Sequence, residues 1–254
     1  MDTSIDTSMD RLALHSRSPY RQKVPPPPTA CCIYPYSVDK LRLINVPRNL
    51  LPAFRIAVQT SWTRGIQSEG MNDTKTCYEV KLKGYPWPMG AQKSAIAVES
   101  CRLTTSIMRF MLSHGWGLEL STHLQFKNRQ DCWFFRKKAQ ETHVVMCGVS
   151  FSSQDKIRVV DGSPEVTQAV KSTIENHWDK GLQQHSLHCE AEEFRLKGRP
   201  WTCRHDKRQA YALLMYLIDE LKSARWILYA SVGTGTSWKG GAEMDTWILK
   251  KSKP

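Results

Sequence analysis

No stretch of this 254-residue chain approaches the roughly 18 to 20 consecutive apolar residues that a membrane-spanning helix requires. The first thirty residues lack an apolar run beside a basic start, the mark of a secretory signal. A cytoplasmic protein, with access to the nucleus, is expected. Catalytic signatures are missing as well. The chain has no G-x-S-x-G, no H-E-x-x-H and no G-x-x-x-x-G-K-[ST], so a nucleophile elbow, a zinc protease site and a phosphate loop each lack their motif. Among its eight cysteines no two form a C-x-x-C pair. Most lie within apolar segments, where a reducing compartment leaves them as small buried hydrophobes.

Weaker chemical signals reduce to plain readings. His185, His188 and Cys189 cluster ahead of Cys203 and His205, but structural zinc wants two close ligand pairs at defined spacing. The first half of the chain has Glu69 to Asp73 at the matching place, so no metal and no cofactor is expected. The stretch beginning Gly233-Thr234-Gly235 reads as a hairpin between strands. Asp131 and Asp245 each precede a strand, where an acid usually bonds its own backbone in a turn.

Charge is abundant and uneven. The net charge is +12. Residues 40–138 hold 16 basic against 6 acidic side chains, a net +10, whereas residues 156–254 hold 16 against 12, a net +4. Such a balance invites an anionic partner: an acidic protein, nucleic acid or an anionic lipid surface.

The strongest feature is an internal duplication. Lys40-Leu41-Arg42-Leu43-Ile44 aligns with Lys156-Ile157-Arg158-Val159-Val160 at an offset of 116, which runs without a gap through Trp62 and Trp178. At an offset of 114, Leu82-Lys83-Gly84 and Pro86-Trp87 align with Leu196-Lys197-Gly198 and Pro200-Trp201. Of nine tryptophans, eight fall into four matched pairs; chance does not produce that.

Periodicity supplies the elements. Leu50, Phe54, Val58 and Trp62 recur every fourth residue, as do Val166, Val170, Ile174 and Trp178, the buried stripe of an amphipathic helix. Ser163-Pro164-Glu165 opens the second of these with a cap, a first-turn proline and an acid at the positive end of the dipole. A further helix carries Leu103, Ile107 and Met111 against Leu213, Leu217 and Leu221, and His114-Gly115 stops it. Leu41/Leu43 and Val80/Leu82 alternate with charged residues, as half-buried strands do. The fold class expected is α+β: a tandem duplication of a two-layer unit, an antiparallel-rich sheet with two helices on one face, roughly β-β-α-β-α-β-β per copy. Residues 1–30, ending in four prolines, read as a disordered tail. Residues 31–138 form the strongly basic first unit and 139–254 the second.

Two sets of residues are candidates for binding. Trp87 and Trp201 lie in repeated Gly-x-Pro-Trp turns and could anchor a partner. Arg42, Lys81 and Lys83, with Arg158, Arg195 and Lys197 as their counterparts, share the strand face opposite the core. Glu79 and Glu193 lie on that face too and offer them cross-strand ion pairs. An RNA-reading sheet needs stacking aromatics there, and the strands carrying these cations have none. The function expected is therefore non-catalytic: a two-unit intracellular adaptor binding an acidic protein. Nonspecific nucleic-acid or anionic-lipid binding through the basic first unit comes second, and an enzyme with its site between the copies third.

Overall fold

The structure, a computed structural model, describes residues 29–87, 94–124, 131–202, 207–233 and 245–253. The proline-rich tail, the Cys203 and His205 positions and most of the glycine-rich hairpin lie outside these residues.

Each copy folds as a six-stranded antiparallel sheet with two helices. The first contains β1 (Ala30–Tyr36), β2 (Lys40–Ile44), α1 (Leu51–Ser61), β3 (Ile66–Met71), β4 (Tyr78–Leu82), α2 (Ser94–Ser113), β5 (Trp116–Thr122) and β6 (Cys132–Lys137). The second contains β7 (Met146–Ser152), β8 (Lys156–Val160), α3 (Pro164–His177), β9 (Leu182–His188), β10 (Ala191–Leu196), α4 (Arg208–Ser223), β11 (Trp226–Val232) and β12 (Thr246–Lys251). Strand orders are β3-β4-β2-β1-β6-β5 and β11-β12-β7-β8-β10-β9, and the orders match element for element. The α+β duplication expected from the sequence is what the chain adopts, with one more strand per copy. β3 and β9 replace an expected loop because their sequences, IQSEGM and LQQHSLH, show no apolar alternation. They are edge strands, hydrogen-bonded on one side only, to β4 and β10. His185 and His188 thus sit on a strand rather than in a loop.

The two helix stripes behave as their spacing predicts. Phe54 and Val58, and Val166, Val170 and Ile174, are buried. Pro164 and Glu165 begin α3 after Ser163, although the Ser163 hydroxyl makes no capping bond; its carbonyl instead accepts the amides of Val166 and Thr167. Each first helix ends at a tryptophan whose indole reaches across the unit. Trp62 Nε1 donates to the Lys83 carbonyl and Trp178 Nε1 to the Lys197 carbonyl, both at 2.9 Å. That carbonyl precedes Gly84 or Gly198, which turn at φ +79° and +85°, a region that favours glycine. The paired Trp and Leu-Lys-Gly motifs are therefore two ends of one bond. Trp62→Phe keeps an aromatic ring but vacates part of the indole's buried space and leaves the carbonyl unpaired. Its expected loss is about 2 to 4 kcal/mol in urea unfolding, and Trp178→Phe should match it.

Each sheet has an inner face against its own helices and an outer face. On the first sheet Ile33, Leu41, Leu43, Val80, Trp133 and Phe135 point inward and join one core with Phe54 and Val58. The second sheet does the same with Val149, Val159, Phe194 and Leu249. Its outer face, however, is not open. Adjacent residues of β12 divide between the cores: Leu249 packs inside the second unit, while Ile248 belongs with α2 and the first unit. Helix α2 is thus sandwiched, with Leu103, Ile107 and Met111 buried among the first unit's core residues. Its other side, through Val98 and Cys101, packs on Val160 and Ala191. The layers run sheet, helices, sheet, helices.

The seam between units has a polar clasp. Asp131 Oδ2 accepts the Gly233 amide at 2.8 Å and the Ser121 hydroxyl at 2.8 Å, and the Asp131 amide donates to the Gly233 carbonyl at 3.0 Å. Among the described residues, Asp245 repeats the serine bond alone, from Ser231 at 3.0 Å. Among the described residues, the paired acids bond a neighbouring strand and, in the first copy, the other unit; the turns that precede them lie outside the described residues.

Candidate functional site

The tryptophan turns resolve as packing. Trp87 has no exposed surface, and its amide donates to the Val38 carbonyl. Trp201 is half-buried, its Nε1 bonded to the Lys156 carbonyl at 3.2 Å and its ring edge-on to Phe151 at 5.4 Å. A partner could reach Trp87 only if the turn opened.

The repeated cations do gather on the outer faces, already paired. Glu79 takes Lys40 at 2.6 Å and Arg42 at 2.9 Å, and Glu193 takes Lys156 and Arg158, both at 2.6 Å. Burial pushes both carboxyls up, but the hydrogen bonds from their two cations prevail and hold them below the ordinary range. Arg195 meets Asp155 at 2.9 Å and Lys81 meets Asp39 at 3.9 Å. Lys83 and Lys197 stand exposed just beyond their strands. The two copies differ in what lies above these ion pairs. The Arg158 side chain is 3% exposed and the Arg42 side chain 21%, because α2 covers the second outer face while neither of the first unit's own helices covers the first.

That open first face carries aromatics after all, from strands other than those bearing the cations. Ile33 packs inward, so its neighbours Cys32 and Tyr34, followed by Tyr36, alternate outward along β1. Phe134 comes outward from β6, paired with Cys32. The Arg42 guanidinium lies 3.3 Å from the Tyr36 ring centroid, and Arg42 is the cross-strand partner of Tyr34. Beside them an open recess of about 300 Å³ is lined by Lys40, Arg42, Lys81 and the loop residues Asn72, Asp73 and Thr74. Asn72 fixes this loop: its Oδ1 accepts the amides of Thr76 and Cys77 at 2.8 and 3.1 Å. The signal for the aromatics was present in the alignment. Tyr34 and Tyr36 face Ser150 and Ser152 at the offset of 116, large rings where a face is open and small hydroxyls where a helix lies close by.

Other chemistry finds little support. Among the described residues no three His, Cys, Asp or Glu side chains converge as a metal site. His185 Nε2 instead meets Glu192 at 2.7 Å. Burial pushes the thiols of Cys31, Cys32, Cys101 and Cys147 up to about 12, where thiolate is scarce at neutral pH. Among the described residues no helix is long and apolar enough to cross a membrane.

No curated protein and no solved structure matches the chain. One protein-family model matches it twice, over residues 29–136 and 145–250, and the chain belongs to that family, carrying its domain in two copies.

Proposed function

We propose that the chain is a non-catalytic binding protein whose contact surface is the outer face of the first sheet, and that this face receives an acidic protein. One observation carries the reading: of two equivalent sheet faces, one is filled by α2 and the other presents Tyr34 and Tyr36 beside Lys40, Arg42 and Lys81. Tyrosine and arginine on a supported flat face are the residue types that anchor protein interfaces. Because Glu79 and Asp39 already engage the cations, the face offers directed hydrogen bonds to a carboxylate more than a strong field for a phosphate chain. The duplication serves this by rigidity. The second unit props α2 from behind and keeps the first sheet's core fixed.

A second reading has its own observation. Rings on an open sheet are what single-stranded nucleic acid stacks upon. Affinity capture from cytosol, with and without nuclease, separates the two. The double variant Tyr36→Ala/Lys81→Glu serves as comparison, with its melting curve checked against the wild type. A nuclease-resistant partner lost by ~10-fold in the variant supports the acidic-protein reading. Recovery abolished by nuclease, with a steep fall in salt, transfers the face to nucleic acid. Equal capture by both chains removes the face from consideration.

A further inference from the structure

The contact between the units is itself a template. On the second sheet, α2 lays Val98 and Cys101 over Val160 and Ala191, and Gly148 lies so close that an added Cβ would stand 2.2 Å from Cys101 Sγ and 3.2 Å from Thr105 Oγ1. Both halves of this interface exist a second time in the chain. Leu103, Ile107 and Met111 of α2 match Leu213, Leu217 and Leu221 of α4 at an offset of 110, so Cys101, Thr105 and Met108 correspond to Tyr211, Met215 and Ile218. These three are 58%, 66% and 41% exposed. A terminal repeat that ends a stack normally turns a polar face outward; α4 does the opposite. The sheet half recurs as well. Gly148, Val160 and Ala191 correspond to Cys32, Ile44 and Cys77 on the first sheet's outer face, where the small Cys32 and Cys77 are buried low in the surface and Ile44 is half-buried. The registers agree, since Gly148 pairs with Val160 as Cys32 does with Ile44. Phe134, half-buried, and Leu120, 52% exposed, extend that apolar end, at the opposite end of the face from Lys40 and Lys81.

We infer that the outer face of α4 docks on the apolar end of the first sheet in a second copy of this chain, head to tail. The charges are consistent with it. Inside the chain the contact is bordered by an ion pair, Arg102 to Asp161 at 3.0 Å with Glu190 at 3.7 Å. The corresponding positions are Ala212, Asn45 and Thr76, so all three charges are replaced together and the contact between copies strands none of them. Tyr211 and Met215 are longer than Cys101 and Thr105, so α4 stands further from its sheet than α2 does. Such a heterologous contact leaves one free face at each end and extends to higher oligomers.

Sedimentation velocity on the full chain tests this with two complementary surface variants. Met215→Glu/Ile218→Glu blocks the helix face and Ile44→Glu/Leu120→Glu the sheet face. Because Ile44 is half-buried, Leu120→Glu alone serves as a milder sheet variant, and melting curves confirm folding. The wild type should grow in mass with concentration, and each variant alone should stay monomeric, its association weakened ~10-fold or more. An equimolar mixture of the two should form one-to-one dimers and nothing larger, because each variant retains the half that the other lacks. Three results overturn the inference: a wild type monomeric at all concentrations, a blocked variant that still self-associates, or a mixture that fails to pair. Lys81→Glu should leave association intact while weakening capture of an acidic partner, so the two proposals fail separately. Loss of association in Lys81→Glu would make the contact ionic and overturn the apolar one.

Discussion

Replacing Glu193 by alanine lowers the unfolding free energy by about 3 to 5 kcal/mol, whereas the matching Glu79→Ala lowers it by on the order of 1 kcal/mol. The two carboxylates hold equivalent cation pairs at nearly equal distances. What differs is the environment. Arg158 is 2% exposed under the second unit's covered face, so losing Glu193 removes a hydrogen-bonded countercharge where water cannot readily replace it. Arg42 keeps a path to solvent and the ring of Tyr36, so water replaces much of what Glu79 supplied. Urea unfolding of both variants measures the contrast; equal losses would show that the covered face is wet. Acid titration has the same origin. Both carboxyls are held low by their cations in the folded chain. Their contribution is therefore complete above the unfolded carboxyl range near ~4.3 and is lost as pH falls through the lower folded value. The urea midpoint should drop on that acidic side, and Glu193→Gln should flatten the dependence more than Glu79→Gln.

How much of this was legible depended on whether a residue's partner lay within its own repeat. The stripe Phe54, Val58 and Trp62 and its counterpart showed their burial because each faces its own sheet, and the spacing carries that directly. Helix α2 was half legible. Leu103, Ile107 and Met111 mark one side, but its second buried side is made of Val98, Cys101 and the fully or nearly fully buried Thr104 and Thr105, small and polar residues that look like a solvent face. Only the other unit's sheet explains their burial. The edge strands were invisible for the reverse reason: residues such as Gln67 and Glu69 lie in strands that bury little on either face. The outward aromatics escaped because β1 was the faintest part of the repeat, and it is faint because the copies diverged there, Tyr34 against Ser150 and Cys32 against Gly148. Where two copies of one fold differ most, their surroundings differ most.

Gly148 gives the sharpest test of that view. A glycine in the middle of a central strand weakens the strand unless something needs the space, and here the Cys101 sulfur takes it. Gly148→Ala places a methyl 2.2 Å from that sulfur, far inside contact distance, in a seam held by buried packing on both sides. The expected loss is about 1 to 3 kcal/mol, as for overpacked cores. Cys101→Ala alone removes one buried atom and leaves a small void, a loss of about 1 kcal/mol. The double variant exchanges the two groups across the seam: the new methyl on the strand fills part of the volume vacated by the sulfur on the helix. Its loss should fall below the sum of the singles by about 1 to 2 kcal/mol, a coupling of the size expected for residues in direct contact. Additive losses in urea unfolding would mean that the seam yields by moving α2 off the second sheet. Sub-additive losses would show that the two units are locked by this one close approach.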